Sequence, residues 1–182
     1  MHNFDDRQAL EGLKNLDARI LGAIYDRYFP EIYRYVRYRL SDEQAAEDIA
    51  SEVFVRLLDA SQNGRGPRTN LRSWLLSTAS HAVIDHLRQL YRRPSEALAD
   101  DLLDPDSAPQ DLFDLHEEER SFHQAFLLLT SEQQHVLALR FSLGYSLEET
   151  AAVLKKNTNA VKALQFRALA ALRRRIEEMN DD

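Results

Sequence analysis

Residues 146–175 read SLEETAAVLKKNTNAVKALQFRALAALRRR, and this stretch decides the fold. Ser146 with Glu149 three residues on is a capping-box pattern that opens a helix over Leu147–Leu154. Lys155–Lys156–Asn157 reads as a turn, and Asn157 or Thr158 caps a final helix running to about Met179. A helix, a tight turn and a longer basic helix make a helix-turn-helix, whose second helix enters the major groove of DNA. Val161, Leu164, Ala168 and Leu172 form the row that packs on the first helix. Lys162, Gln165, Phe166 and Arg167 are left outward, with Arg173–Arg175 beyond them for phosphates. Cations near a helix C-terminus often only complement its dipole. Seven basic residues without one acid from Thr150 to Arg175 exceed that need and point to DNA.

Upstream, Phe122–Leu129 is a short apolar helix, followed by a second with Ser131 as cap and Gln134 three residues on, closed by Gly144. Residues 94–119 hold three prolines, ten acids and no base. Such a composition buries too little surface to offset its ordering entropy, so residues 94–121 read as a flexible acidic linker.

Further back, apolar residues recur at 16, 20, 24, 28, 32, 36 and 40, a helical stripe that Pro30 should kink or divide. Ser41 is the expected cap of the next helix, Asp42–Asp59, with 46, 49, 50, 53 and 57 inward and an acidic outer face. After a loop with Gly64, Gly66 and Pro67, Thr69 or Asn70 opens a helix reaching about Arg93. The fold class is therefore all-α: two helical domains, 1–93 and 122–182, joined by the linker.

The 182 residues contain no cysteine, which removes disulfides and sulfur-ligated zinc. The first thirty residues lack an apolar run long enough for a signal peptide or membrane span, so a cytoplasmic protein is expected. Five glycines argue against nucleotide-cradling loops, and the six histidines include no i, i+4 pair. No metal, cofactor, small-molecule substrate or catalytic role is expected.

The net charge of −7 seems to oppose nucleic-acid binding, but it is banded. Residues 1–60 carry −4, 61–93 carry +5, 94–122 carry −9 and 123–182 carry +1. The basic band places Arg65, Arg68, Arg72 and Arg88 around a glycine-containing loop and a helix bearing Ser77, Ser80, His81 and Asp85, a mixture suited to single-stranded nucleic acid. Trp74 reads as a core anchor. On the acidic helix, Glu47, Asp48 and Glu52 form a face that docks a partner or is merely solvated, with Glu52 able to pair with Arg56. The residues alone leave the function open between a DNA-binding protein, such as a stand-alone helix-turn-helix regulator on a duplex operator, and an interaction protein whose helix-turn-helix is only structural.

A resemblance narrows the choice. Asp48–Ile49–Ala50–Ser51–Glu52–Val53–Phe54 resembles the D-x-x-Q-E-V-F signature in region two of bacterial extracytoplasmic-function (ECF) sigma factors. Arg72–Ser73–Trp74–Leu75, Ala79 and Ile84–Asp85–His86–Leu87–Arg88 resemble a second stretch of that region, with His81 where the family usually has asparagine. Leu129–Gln133, Leu137–Phe141, Gly144–Glu149 and Val161–Lys162 resemble region four, although Thr158–Asn159–Ala160 replaces the usual glycine-threonine lead. The resemblance implies a factor that binds core RNA polymerase and directs it to promoter DNA, with an anti-sigma factor as a further partner. It assigns core docking to Glu47, Asp48, Glu52 and Phe54. It assigns capture of the melted minus-ten element to Arg65, Arg68, Arg72, Ser77, His81, Asp85 and Arg88. Reading of the minus-thirty-five element falls to Asn159, Lys162, Ala163, Phe166 and Arg167.

Overall fold

The computed structural model describes residues 6–40, 42–92 and 117–180. These fold into helices α1 (Asp6–Lys14), α2 (Ala18–Arg39), α3 (Glu43–Gln62), α4 (Leu71–Arg92), α5 (Glu117–Leu127), α6 (Ser131–Leu137), α7 (Leu147–Leu154) and α8 (Thr158–Asn180). A π-helical turn over Ala138–Ser142 continues α6. The linker residues 93–116, and Ser41 as the expected cap, lie outside the described residues.

The stripe read from the sequence becomes α2, which is not divided at Pro30. Ile24, Tyr28, Ile32 and Val36 are buried as expected, and helix α2 packs against both α3 and α4. Leu16 departs from the stripe. It has φ +52° and is 40% exposed, because it makes the corner between α1 and α2 that Asp17 then caps. Helix α1, which the periodicity did not reveal, packs through Ala9 and Leu13, with Gly12 so close to Ile20 that a Cβ would lie 2.5 Å from its side chain.

Helix α3 is capped by Asp42 and buries Ala46, Ile49, Ala50, Val53 and Leu57. Asn70 accepts from the Ser73 amide and so caps α4, which buries Leu71, Leu75, Leu76, Ala79, Ala82 and Val83. Each fully buried leucine or isoleucine here contributes roughly 1.5–3 kcal/mol.

In the C-terminal unit α5 begins five residues before the expected Phe122. The cap of α6 is Thr130 rather than Ser131, with Gln133 closing the capping box. That shift frees Gln134 to turn inward. Ser146 and Glu149 form the capping box of α7, and Lys155 adopts a left-handed conformation at the turn into α8. A second core of Ala125, Phe126, Val136, Leu137, Val161, Leu164, Ala168 and Leu172 holds α5, α6 and α8 together.

The two units do not stand apart. Ala138, Leu139, Tyr145 and Val153 are buried in the same apolar cluster as α2, α3 and α4, so a continuous seam joins the π turn and α7 to the N-terminal helices.

Candidate nucleic-acid interface

The recognition helix presents the face expected of it. Asn159, Lys162, Ala163, Phe166 and Arg167 are all exposed, while Val161, Leu164, Ala168 and Leu172 are buried. Phe166 is 75% exposed, an unusual state for a large apolar side chain without a partner to cover it. Gln165, read as outward, is instead half-buried and accepts from the Arg140 Nε at 3.1 Å. Arg173 and Arg175 form exposed ion pairs with Glu177 and Glu178 at 2.8 and 2.9 Å, pairs weak enough to be exchanged for phosphate.

On α4, His81, Asp85 and Arg88 are exposed and Ser77 half-exposed, following one face at intervals of three or four residues. Arg88 lies 3.7 Å from Asp85. Arg65 and Arg68 are exposed on the preceding loop, whose left-handed corner at Gly64 has φ +67°. Arg72 is placed differently. Its guanidinium sits over the Tyr145 ring and pairs with Glu31 at 2.8 Å and Glu149 at 3.4 Å, so in this arrangement it joins the two units rather than facing open solvent.

On α3, Glu47, Asp48 and Glu52 are exposed, and Glu52 pairs with Arg56 at 2.8 Å. Val55, 63% exposed, lies on the same face three residues beyond Glu52. Phe54 is buried edge-on against Tyr25, so it supports this face from beneath and does not form part of its surface.

The seam carries a polar layer that the sequence reading missed. Arg39 of α2 donates to Tyr35 Oη and Ser80 Oγ on its own unit and to Gln134 Oε1 on α6. Ser80 also meets His135 Nδ1 at 3.2 Å. Burial, then the Arg39 cation, then His81 push the His135 ring down to about 3, so it is neutral at physiological pH. Tyr145 donates to Glu31 across the seam. Its phenol is pushed well above the ordinary value by burial and then by that carboxylate. A cavity of about 330 Å³ lies between α4 and the helix-turn-helix, lined among others by Ser77, His81, Glu132, His135, Lys155 and Lys156. The one sequence signal for this layer was Arg39 itself, a charge seven residues past Ile32 and three past Val36 within an apolar stripe.

Among the described residues no cluster of three or more His, Cys, Asp or Glu could hold a metal ion, and no helix is long and apolar enough to cross a membrane.

Two helical units, one with an acidic face on α3 beside an arginine-bearing loop and α4, and one with a helix-turn-helix, define a DNA-binding protein of the initiation-factor class. Sigma-70 region 2 matches residues 24–93, and Sigma-70, region 4 matches residues 125–174. The ECF RNA polymerase sigma factor SigX of Bacillus subtilis is 32% identical over 165 residues, covering 87% of this chain and 84% of that protein. The ECF RNA polymerase sigma factor BldN of Streptomyces coelicolor is 33% identical over 161 residues, covering 87% of this chain and 61% of that protein. Among solved structures, CnrH in complex with the cytosolic domain of CnrY shares the fold at TM-score 0.67 and 21% identity, covering 95% of this chain and 97% of that one. The chain belongs to the ECF RNA polymerase sigma factors and acts in transcription initiation, binding core RNA polymerase and promoter DNA.

Proposed function

We propose that the work of this sigma factor is divided among three surfaces. The acidic face of α3, Glu47, Asp48 and Glu52 backed by Phe54, docks on core polymerase. The loop and α4, through Arg65, Arg68, Ser77, His81, Asp85 and Arg88, capture the melted minus-ten strand, with Arg72 joining them when the seam opens. Helix α8 reads the minus-thirty-five duplex through Asn159, Lys162, Ala163, Phe166 and Arg167. Residues 1–93 and 122–182 act as the two functional domains, with 94–121 as the tether between them.

The observation that carries this reading is the sorting of α8. Asn159, Lys162, Ala163, Phe166 and Arg167 are outward and Val161, Leu164, Ala168 and Leu172 are inward, with Gln165 alone turned from solvent toward Arg140. The protein catalyses no reaction of its own and works in the cytoplasm, where the polymerase is. An anti-sigma factor is a further partner. RpoE of Bartonella quintana, which shares this fold at TM-score 0.58 and 17% identity over 86% of this chain and 96% of that one, was solved with the anti-sigma factor NepR.

Footprinting of reconstituted holoenzyme tests the division. K162A/R167A should lose protection upstream while H81A/R88A loses strand opening downstream. A single defect shared by both pairs contradicts it.

A further inference from the structure

Arg39 is the largest fully buried side chain among the described residues, with 0% exposure. Its Nη1 donates to Tyr35 Oη at 2.8 Å and Ser80 Oγ at 3.0 Å, and its Nη2 donates to Gln134 Oε1 at 3.2 Å. Its Nε has no acceptor. All three acceptors are neutral, and no carboxylate among the described residues reaches it. The guanidinium is thus enclosed with one donor unmet and no counter-charge, its Cζ 5.6 Å from the centroid of the Tyr35 ring, and this costs free energy that an apolar side chain of similar volume would not. Packing alone does not account for an arginine here.

The lid over Arg39 is borrowed. Tyr35 and Ser80 belong to the N-terminal unit, whereas Gln134 is fixed to the C-terminal one, where its amide donates to the carbonyls of Phe126, Leu127 and Leu129 at 3.2 Å each. Gln134 and His135 therefore leave with that unit if the seam opens. What they uncover is a cation beside Ser80, within a turn of Ser77 and His81 on α4. A cation next to hydroxyl and imidazole groups on a surface that holds a single strand meets a backbone phosphate.

We propose that Arg39 is a DNA-phosphate contact of the N-terminal unit, stored beneath Gln134 while the seam is closed and exposed when the C-terminal unit moves away. The proposal rests on the assignment of the α4 face to the minus-ten strand. It adds to that face a residue from α2 and explains why an unbalanced charge is kept inside the seam.

The test uses holoenzyme reconstituted from the full chain and core RNA polymerase, on a promoter fragment that the wild-type holoenzyme selects from a library. R39Q should make the dependence of log affinity on log salt shallower by ~0.7–0.9, the loss of one phosphate contact, while R39K keeps the wild-type slope. Core binding by R39Q should be unchanged, and the free R39Q chain should melt no lower than wild type, since an unbalanced buried charge has been removed. R39M fills the same space without charge and gives the same readout if glutamine packs poorly. A wild-type salt slope in both neutral variants, with H81A impaired in strand opening, overturns the Arg39 inference alone. Wild-type strand opening in H81A overturns the α4 assignment and the Arg39 inference with it.

Discussion

The guanidinium of Arg72 on α4 lies 4.1 Å from the centroid of the Tyr145 ring, and both side chains reach the same Glu31 carboxylate. One carboxylate on α2 thereby ties α4 to the loop that leads into the helix-turn-helix. The Glu31 side chain is only 12% exposed, so this is a stronger tie than a surface ion pair. Arg72 to Ala should cost roughly 1–3 kcal/mol, from a half-buried charge pair and a cation–π contact together. At ~2–4 °C per kcal/mol for a chain of this size, calorimetry should show melting several degrees lower. Y145F keeps the ring and should lose less.

The seam should also weaken in acid. The His135 ring is pushed from 6.5 to about 3 in the closed arrangement, so closure holds it neutral. Its contribution is complete above pH 6.5 and is lost as the pH falls from 6.5 toward 3, by up to tenfold per pH unit. His123, pushed down by burial and then by Arg37, acts in the same direction. With the intrinsic pH dependence of exchange divided out, the protection factors of the α6 amides should fall between pH 7 and pH 5, and H135N should remove much of that change. A fall in protection of the same size in H135N rules out His135 as its source.

Docking on the polymerase should depend on the charge of α3 and not on its fold. Asp48 and Glu52 are exposed, and Glu52 gives up only a surface pair with Arg56 on substitution. D48K/E52K should keep its melting temperature within about 2 °C. Affinity for core polymerase should fall at least tenfold, about 1.4 kcal/mol, by titration calorimetry. F54A should instead lower stability by roughly 3–5 kcal/mol, because that ring is in the core.

Phe166 and Lys162 separate recognition from stability on α8. Both are exposed, so F166A and K162A should change stability by no more than about 0.5 kcal/mol. K162A should lower promoter affinity across sequences and reduce the salt slope by about 1. F166A should relax preference at particular minus-thirty-five positions, read by competition among duplexes of altered sequence.

The helices and the outward faces were legible because both follow from a period of 3.6 residues, and α2, α3, α4, α7 and α8 appear close to where the apolar stripes place them. Helix α1 escaped because one of its contact positions is Gly12, which packs by absence of a side chain and adds nothing to an apolar pattern. Thr130 took the cap from Ser131 because either hydroxyl suits the role and only the inward turn of Gln134 decides between them. The seam was invisible for a related reason. Gln134 and Glu149 read as capping partners, nothing in the helical period assigns Arg39 or His135 a partner, and pairing these residues requires contacts between positions as far as 95 residues apart. Arg72 illustrates the consequence, since its place beside DNA came from its neighbours in sequence while two of its partners here, Tyr145 and Glu149, came from the other unit.

Run-off transcription with purified core RNA polymerase over a promoter library tests the initiation role most directly. Addition of this chain should yield transcripts from a restricted set of promoters sharing minus-thirty-five and minus-ten elements, and none should appear without it. No new transcripts, together with tight sequence-specific binding of an operator duplex by the chain alone, would contradict the account and identify a stand-alone regulator instead.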